Sequence, residues 1–468
     1  MKIKKALVVA PHPDDEINLA AQLIIELQKQ FIDIYILYTT NGDAETKIGN
    51  KRIQEAINAL SLLDIPEENI IFLGYANEWK QGRHIFESIQ VISSKLGKTK
   101  TNSLKTHPEY CYSKYGVHHE FTYINFKKDF KDVIEELLPD LLVCVDFDKH
   151  PDHRAASLTF DKVIGELLKE KKGYYPLVLK KFAYNGVWFG EKDYYSIPFQ
   201  PTVKSPNFIY SGMEHELESP AYTWKERLSF NVDCNTTTTL LKNNLLYKMA
   251  KRHVSTIAWY QMQRVINADM VYWYRPTMNL AIHAKIIASS GDVSYLNDFV
   301  LYGYKSILSE NEPFENASNL WQPDEGDNRK EIRISFHSER KIRYINIYED
   351  CNKQNHIRKL KIRLGDNSEY EIECNSNGTL TQIDLGVSKV VSVIRLSIEE
   401  YIGQPGIAEI EIIPEEAMNV NWPLTLYTGC SSDRKKISIR MWIEKILMDI
   451  HFLFAFKIGY EIRQRRHK

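Results

Sequence analysis

The chain lacks several features that would assign it to a specialised class of protein. Its six cysteines are scattered without a Cys-x-x-Cys pair, so no disulfide framework is indicated and a reducing cytosol fits best. The 60 basic and 61 acidic residues give a formal net charge of −1, which argues against nucleic acid as a partner. No apolar run approaches the roughly 20 residues of a membrane-spanning helix, and the N-terminal run is too short for a secretory signal.

The length of 468 residues predicts two domains, because single cores stop growing at roughly 250–300 residues. The first 160 residues alternate strand-like and helix-like patterns, which predicts an α/β fold with a parallel sheet and helices on both faces. Predicted strands cover residues 5–10, 32–39, 70–73 and 141–145, and predicted helices cover 16–30, 49–63, 125–138 and a long stretch at 237–266.

The remainder of the chain has a different character. Short alternating runs separated by turn residues predict an all-β sandwich. These runs are residues 331–336, 342–348, 360–364, 369–374, 380–385, 390–398 and 407–413. The last segment, 434–468, carries ten Lys or Arg residues against three acidic ones, interleaved with large apolar side chains, and is predicted to be a helical tail.

Two clusters of imidazoles and carboxylates directly follow apolar runs. The first, Pro-His-Pro-Asp-Asp-Glu at residues 11–16, follows the predicted strand at 5–10. The second, Asp-Lys-His-Pro-Asp-His at residues 148–153, follows the predicted strand at 141–145. Because open α/β sheets bind ligands beyond the carboxyl ends of their strands, the two clusters predict one shared site.

Together the clusters contain the donors of a catalytic metal site. His12 and Asp15 are three residues apart at the entry to a helix, and His153 reaches them from the neighbouring strand end. Three protein ligands with a fourth position left to water is the catalytic arrangement for zinc, although another divalent metal is also compatible. Such a metal suits amide hydrolysis, because it activates water and polarises the carbonyl group.

The remaining groups of the clusters then acquire roles. Asp14 is placed to take a proton from the attacking water and return it to the leaving amine. His150, as an imidazolium ion, is expected to stabilise the oxyanion, and Asp152 is expected to orient an imidazole behind the metal. Glu16 is interpreted as a first-turn residue favourable to the helix dipole.

Two other interpretations of the clusters are open. A single His-Pro-Asp is commonly a turn with a capping Asp, but two copies after two strands favour a metal site. His12-x-Asp14 with a distant His also spells the two-His, one-carboxylate triad of non-haem iron oxygenases. Those enzymes use mostly β-barrel scaffolds, so the context of a strand followed by a helix disfavours this alternative.

These residues resemble the PIG-L/LmbE family of zinc-dependent N-deacetylases. The resemblance covers residues 1–276 and includes Thr-Thr-Asn-Gly-Asp at 39–43, Arg-x-x-Glu at 52–55 and Lys-Tyr-Gly at 114–116 followed by a His pair. It implies a Rossmann-like domain that holds zinc and removes the acetyl group from N-acetylglucosamine attached to another group. The residues implied are zinc ligands His12, Asp15 and His153, with Asp14 as general base and His150 at the oxyanion.

The resemblance also implies substrate contacts at Arg52, Asp43 and His118. On residues alone, Arg52 fits equally well as a surface ion-pair partner of Glu55. The choice of what the sugar is attached to is expected to lie in loops at 78–120 and 174–219, whose aromatic side chains either stack on sugar rings or anchor the loops.

The second part of the chain resembles the discoidin type of galactose-binding-like sandwich, through residues 284–291, 296–298, Trp321 and 406–410. Such domains often bind carbohydrate, sometimes with a structural Ca²⁺ ion, and the alternative is a spacer without a ligand. The predicted domains are a deacetylase domain at 1–276, the sandwich at 277–415 and a basic amphipathic tail at 416–468.

The basic tail is consistent with an interfacial helix on a lipid surface or with a helix that docks on its own protein. The sequence thus predicts a cytoplasmic enzyme that can associate peripherally with the inner face of the membrane. An alternative function is a carbohydrate-binding protein whose deacetylase domain is degenerate or serves as a scaffold.

Overall fold

The structure is a computed structural model. It describes residues 2–43, 49–80, 84–148, 150–183, 188–189, 194–195, 199–204, 222, 224–256, 266–301, 319–350, 354–374, 380–429 and 437–453.

The strands in chain order are β1 (Lys5–Ala10), β2 (Asp33–Thr40), β3 (Ile70–Tyr75), β4 (Leu141–Val145), β5 (Leu177–Lys181), β6 (Trp188–Phe189), β7 (Val203–Lys204), β8 (Leu228–Asn231), β9 (Asp269–Arg275), β10 (Lys285–Ala288), β11 (Glu331–Glu349), β12 (His356–Leu364), β13 (Glu369–Glu373), β14 (Thr381–Ile402) and β15 (Ile407–Ile413). The α-helices are α1 (Asp15–Gln28), α2 (Gly49–Leu60), α3 (Tyr110–Tyr115), α4 (Tyr123–Leu137), α5 (Pro151–Glu170), α6 (Leu245–Ala250), α7 (Glu415–Met418) and α8 (Ile439–Leu453).

The first sheet has seven strands in the order β3-β2-β1-β4-β5-β9-β8. The five strands from β3 to β5 are parallel, and β9 and β8 extend the sheet as antiparallel strands. The apolar side chains of β1 and β4 are buried because both strands lie inside the sheet with helices above and below. The predicted Rossmann-like sheet is confirmed, and its strand order reverses between β1 and β4.

The helices of this domain form two groups. α1 and α2 both contact α6, whereas α4 contacts α5. Right-handed crossovers place helices on both faces of a parallel sheet, which accounts for the two groups.

The predicted long helix at residues 237–266 is wrong for the described residues. The chain there forms a 3₁₀ turn at Leu241–Asn243, the short helix α6 and a turn, and residues 257–265 lie outside the described residues. Asn244 has extended backbone angles and its side chain accepts a hydrogen bond from Tyr247 N, so it starts a new helix rather than continuing one. Four consecutive threonines before it also favour local side-chain bonding over a helix.

The second sheet is wholly antiparallel, in the order β10-β11-β14-β12-β13, with β15 paired to β11. It encloses a core of isoleucine, leucine and valine side chains, and the predicted all-β sandwich is confirmed. The long strands β11 and β14 were each predicted as two separate strands. The polar residues between the predicted strands form bulges instead of turns, so each pair is one continuous strand.

The two domains meet at a buried ionic junction. The guanidinium group of Arg275 lies 3.1 Å from Asp161 of α5 and 3.7 Å from Glu411 of β15, and it covers the ring of Phe299. Close packing accompanies this junction, since a Cβ atom on Gly165 of α5 would lie only 1.9 Å from the carbonyl oxygen of Asp298. The domains are therefore in direct contact through α5.

Candidate metal centre

Two turns between strands and helices meet where the strand order of the first sheet reverses. Val9 of β1 is paired with Cys144 of β4, so the turns that follow these strands lie side by side. α5 begins at Pro151, whose fixed φ suits the first helical position. His150 caps this helix because its Nδ1 accepts a hydrogen bond from the backbone N–H of Asp152 at 3.2 Å. The local sequence thus fixes both histidine-bearing turns at one edge of the sheet.

The three predicted metal ligands form a compact, buried triangle. His12 Nδ1 lies 3.0 Å from Asp15 Oδ2 and 3.2 Å from His153 Nε2, and the third edge, from His153 Nε2 to Asp15 Oδ2, is 3.3 Å. Zinc with tetrahedral N and O ligands at about 2.0–2.1 Å separates neighbouring ligand atoms by about 3.3 Å. These donor types and distances fit a divalent metal such as zinc.

In both imidazoles, the ring nitrogen that faces away from the triangle is hydrogen-bonded to a carboxylate. His12 Nε2 lies 3.0 Å from Asp152 Oδ2, and His153 Nδ1 lies 2.8 Å from Asp148 Oδ2. With a metal bound, each far nitrogen would carry the proton, which would leave the other nitrogen with its lone pair directed into the triangle. Asp152 is itself held by His84, whose Nε2 lies 2.9 Å from Asp152 Oδ1.

His150 stands beside the triangle and differs from the other two imidazoles. His12, His150 and His153 offer nitrogen atoms within 4.8 Å of one another and form a group that can hold a metal. However, Nδ1 of His150 accepts from the backbone, so the proton of the neutral ring is on Nε2 and that nitrogen is a donor. Burial and then the charges of His12 and His153 lower the pKa of His150 to about 3. This shift disfavours the imidazolium ion expected from the sequence, and the neutral ring would donate a hydrogen bond from Nε2.

The charges of the centre suit a cation. Burial raises the pKa of the Asp15 carboxyl, but the neighbouring His153 and His12 outweigh burial and hold that pKa well below its usual range. Burial raises the pKa of Asp148 as well, and His153 again reverses the effect. With Asp152 also ionised, three buried carboxylates surround two imidazoles. Burial lowers the pKa values of His12 and His153, but the carboxylates outweigh burial and raise both, so a bound divalent cation would take the place of the imidazole protons.

Asp14 has a constrained backbone and a fixed side chain. Its φ of 129° is a left-handed value that non-glycine residues rarely adopt. Arg52 Nη2 lies 3.0 Å from Asp14 Oδ1 and also donates to the carbonyl oxygen of Pro13, while Nη1 donates to Gly42 O. Burial raises the pKa of Asp14, and the Arg52 charge opposes this rise. Arg52 is thus a buried partner of Asp14.

The alternative interpretation of Arg52 as a surface partner of Glu55 is wrong. Glu55 instead accepts hydrogen bonds from the backbone N–H and the hydroxyl group of Ser255. Glu16, expected only to favour the helix dipole, is fully buried and accepts a hydrogen bond from the Asp14 backbone N–H at 2.8 Å. Its other oxygen lies 2.7 Å from His253 Nε2, so Glu16 links that histidine to the Asp14 turn.

Two predicted substrate contacts lie apart from the triangle. Asp43 follows β2 and its Oδ2 lies 3.3 Å from Lys98 Nζ. His118 hydrogen-bonds to Glu109 and stacks on Tyr112 with the ring centres 4.5 Å apart. Within the part of the chain that the structure describes, no hydrogen bond links either residue to the predicted metal ligands.

A second group of donors lies near His118. Cys111, His119 and Asp129 offer atoms within 4.8 Å of one another. Asp129 already accepts hydrogen bonds from the hydroxyl group of Tyr75 at 2.8 Å and from His119 at 2.8 Å. Because its polar atoms are satisfied internally, this group is explained as a structural network.

Several loop aromatics that were candidates for stacking on sugar rings act as anchors. Trp79 is 5 % exposed and packs edge-on against Phe121. The hydroxyl group of Tyr174 donates to the carbonyl oxygen of Pro139. Tyr112 is 44 % exposed but its ring is covered on one side by His118, and residues 205–221 of the second loop lie outside the described residues.

Sequence reasoning missed two residues of the centre. Asp148 begins the second cluster, three residues after the end of β4, and was therefore an available signal. His84 lies in a loop with no recognisable pattern, so only the folded chain brings it to Asp152.

The fold and the centre define a class of Rossmann-like proteins with a candidate metal site at the point where the strand order of the sheet reverses. Residues 7–164 match the family model described as PIG-L: GlcNAc-PI de-N-acetylase. This part of the chain is a PIG-L domain, as its motifs predicted. Among curated proteins, none matches the chain significantly.

Solved structures of small modules resemble the C-terminal region. A family 32 carbohydrate-binding module of NanJ from C. perfringens, solved in complex with galactose, is 15 % identical, covers 28 % of this chain and 95 % of that chain, and has a TM-score of 0.22. A fucose-binding module from Streptococcus pneumoniae, SpX-3, is 17 % identical, covers 29 % and 96 % of the two chains, and has a TM-score of 0.22. These similarities concern the fold of the sandwich and say nothing about its ligand. The Ca²⁺ ion predicted for the sandwich stays a prediction.

Proposed function

We propose that this protein is a metal-dependent hydrolase that removes the N-acetyl group from an N-acetylglucosamine-type sugar in a glycoconjugate, glycolipid or glycan precursor. The match of residues 7–164 to the PIG-L family supports a deacetylase. The single observation that carries the proposal is the triangle of His12, Asp15 and His153, with edges of 3.0–3.3 Å and both imidazoles oriented by carboxylates.

Zinc is the metal that these donors fit best, with His12, Asp15 and His153 as its ligands. When bound, a divalent metal supplies Lewis-acid polarisation of the amide carbonyl and a lowered pKa of water. Asp152 and Asp148 keep both imidazoles in the tautomer that can bind the metal.

Asp14 and His150 have the two remaining catalytic roles, proton transfer and stabilisation of the oxyanion. Asp14, held by Arg52 at 3.0 Å, takes the proton of the attacking water and delivers it to the leaving amine. The neutral His150 donates a hydrogen bond from Nε2 to the oxyanion that develops on the acetyl oxygen. A neutral donor serves this role because a hydrogen bond to a charged oxyanion is already charge-assisted when only the acceptor is ionised.

The test combines metal analysis with acetate release from a panel of N-acetylglucosamine glycosides. We expect about one metal ion per chain and acetate release that falls by about 100-fold or more in Asp14→Asn, with the metal retained. Asp64→Asn, which removes an exposed carboxylate outside the centre, is the matched control. If the wild type carries metal but Asp14→Asn releases acetate equally fast, the assigned role of Asp14 is wrong. A metal-free wild type that binds these sugars without releasing acetate would favour the carbohydrate-binding alternative.

We also propose that α8 attaches the protein peripherally to an anionic lipid surface. One face of the helix docks on the protein through the buried Met441 and through Glu444, which accepts hydrogen bonds from Leu241 N and Lys242 N. The opposite face leaves large apolar side chains exposed: Ile439, Trp442, Ile443, Ile446, Leu447 and Ile450. The sequence frames the helix with Lys and Arg on both sides, which favours anionic headgroups. None of the helices within the described residues is long and apolar enough to cross a membrane.

Flotation with liposomes tests this attachment. Wild type is expected to bind vesicles that contain an anionic lipid, and Trp442→Ser combined with Leu447→Ser is expected to bind about ten-fold less, because two large apolar side chains are lost. Ile124→Ser combined with Val117→Ser is the matched control, since both residues are exposed on the first domain. Equal flotation of the α8 variant and wild type would contradict the attachment.

A further inference from the structure

Three arginines stand side by side on the exposed face of the second sheet. Arg333 of β11 is directly opposite Arg395 of β14 in the strand register. Arg395 is in turn directly opposite Arg363 of β12. Opposed residues of antiparallel strands project from the same face with Cβ atoms about 5 Å apart. The three guanidinium groups therefore form one line across the sheet, which we call the arginine row.

The arginine row is only partly neutralised by the protein. Arg363 Nε lies 2.6 Å from Glu369 of the edge strand β13. No ion pair within 4.0 Å joins Arg333 or Arg395 to a carboxylate of any residue that the structure describes. Like charges directly opposite each other destabilise a sheet, so packing and hydrogen bonding in the sandwich do not account for this arrangement.

The arginine row lines a pocket. The pocket has a volume of about 470 Å³, and Asn367 and Ser392 add polar side chains to its wall. This volume is within the range of about 300–1,000 Å³ that small-molecule sites occupy. An anion that entered the pocket would meet three guanidinium groups spread over about 10 Å, the width of three neighbouring strands.

We propose that the arginine row binds the carboxylate or phosphate groups of an acidic glycan. The planar guanidinium group matches both kinds of oxyanion with two parallel hydrogen bonds. Asn367 and Ser392 are placed to bond sugar hydroxyl groups beside the anion. The site would hold the protein on an acidic polymer, independently of the metal centre in the other domain.

An acidic glycan fits the site better than nucleic acid does. The positive charge is confined to one row, because Glu331, Glu369 and Glu399 are charged neighbours of Arg363. The whole chain has a formal net charge of −1, so it offers no extended basic surface to an evenly charged polyanion. A glycan instead presents separate acidic groups among neutral hydroxyl groups.

The experiment measures binding of the full chain to two acidic polymers and their neutral forms. Polygalacturonate is compared with its methyl ester, and phosphomannan with dephosphorylated mannan, by affinity electrophoresis at low salt. Wild type is expected to bind at least one acidic polymer about ten-fold or more tightly than its neutral form. Binding to only one of the two acidic polymers supports the proposal and identifies the anion.

Substitutions locate the site. Arg395→Gln removes the central member of the arginine row and is expected to weaken binding by about ten-fold or more. Arg340→Gln makes the same charge change on an exposed part of β11 outside the pocket and is expected to stay within about two-fold of wild type. Arg395→Gln should not lower the thermal midpoint, because it removes repulsion between like charges.

Three results would overturn the proposal: equal binding to acidic and neutral polymers, unchanged binding in Arg395→Gln, or tighter binding to an oligonucleotide than to either acidic glycan. Acetate release from a small soluble glycoside is measured on the same variants. The rate of acetate release should be the same in Arg395→Gln and wild type. The glycan-binding proposal and the deacetylase proposal can therefore be rejected independently of each other.

Discussion

At the residue scale, Arg52 connects three parts of the chain that meet beside the candidate metal centre. It reaches from α2 to the Asp14 carboxylate and to the carbonyl oxygens of Pro13 and Gly42. A Cβ atom on Gly42 would lie 2.4 Å from Arg52 Nη1, so only glycine admits the guanidinium group there. These contacts assign Arg52 to positioning Asp14, whereas its motif suggested a substrate contact.

Arg52→Lys tests this assignment through the split between kcat and KM. Lysine keeps the charge but cannot bond all three acceptors, so kcat is expected to fall about ten-fold or more while KM changes little. Lys51→Ala, on an exposed neighbouring residue, should leave both constants unchanged. A raised KM with unchanged kcat would instead support the substrate contact.

The carboxylate behind His153 provides a second prediction. Asp148→Asn can no longer accept the His153 Nδ1 proton as an anion, so the imidazole becomes a weaker ligand. We expect metal affinity to fall by about 10–100-fold, measured by competition with a chelator. Asp64→Asn is again the control, and an unchanged affinity in Asp148→Asn would show that Asp148 does not tune the ligand.

At the scale of elements, the parallel strands and their helices were predictable because their apolar runs have clear periods. β1, β4 and α1 lie within two residues of the predicted ranges. β11 and β14 were each predicted as two strands, since a bulge and a turn both contain short polar stretches and only strand pairing distinguishes them. Within the described residues, the helix predicted at 237–266 was wrong because capping by Asn244 outweighs apolar spacing.

Helix α5 carries the second histidine cluster at its start and the domain junction at Gly165. Gly165→Ala adds a Cβ atom 1.9 Å from Asp298 O, which must displace the backbone of the second domain. This overpacking is expected to lower the free energy of unfolding by about 1–3 kcal/mol, which exceeds the gain of about 0.5–1 kcal/mol from replacing a helical glycine. The thermal midpoint should fall.

The matched control for Gly165→Ala is Gly365→Ala, where the new Cβ atom would meet Val393 O at 3.5 Å, an ordinary contact. Differential scanning calorimetry compares the two variants. If the thermal midpoints of Gly165→Ala and Gly365→Ala fell by a similar amount, the close contact at Gly165 would not be the cause.

At the scale of the whole molecule, the domain junction brings the carboxyl groups of Asp298, Glu409 and Glu411 close together. Burial raises the pKa of Asp298 to about 7, although Lys169, Lys162 and Arg275 oppose the rise. Burial also raises the pKa of Glu409 well above its usual range. The junction therefore holds protons that the unfolded chain would release.

This protonation makes stability depend on pH. Between about pH 4 and pH 7 the folded state binds one proton more than the unfolded state at Asp298, so stability falls as pH rises through this window. The slope contributed by one group is at most about 1.4 kcal/mol per pH unit. Urea unfolding of Asp298→Asn should show a shallower slope than wild type, whereas the exposed Asp324→Asn should not. An unchanged slope in Asp298→Asn would exclude this carboxyl group as the cause.

The sequence by itself determined the class of fold and predicted the donor set of the candidate centre. Apolar periodicity specifies strands and helices locally, and His12, Asp15 and His153 lie in turns that follow buried strands, where parallel sheets bring functional groups together. Only the tertiary structure decided the protonated nitrogen of His150, the partner of Arg52, the support from His84 and the register that aligns the arginine row. These features depend on contacts between residues distant in the chain, whose geometry is fixed by packing and strand register.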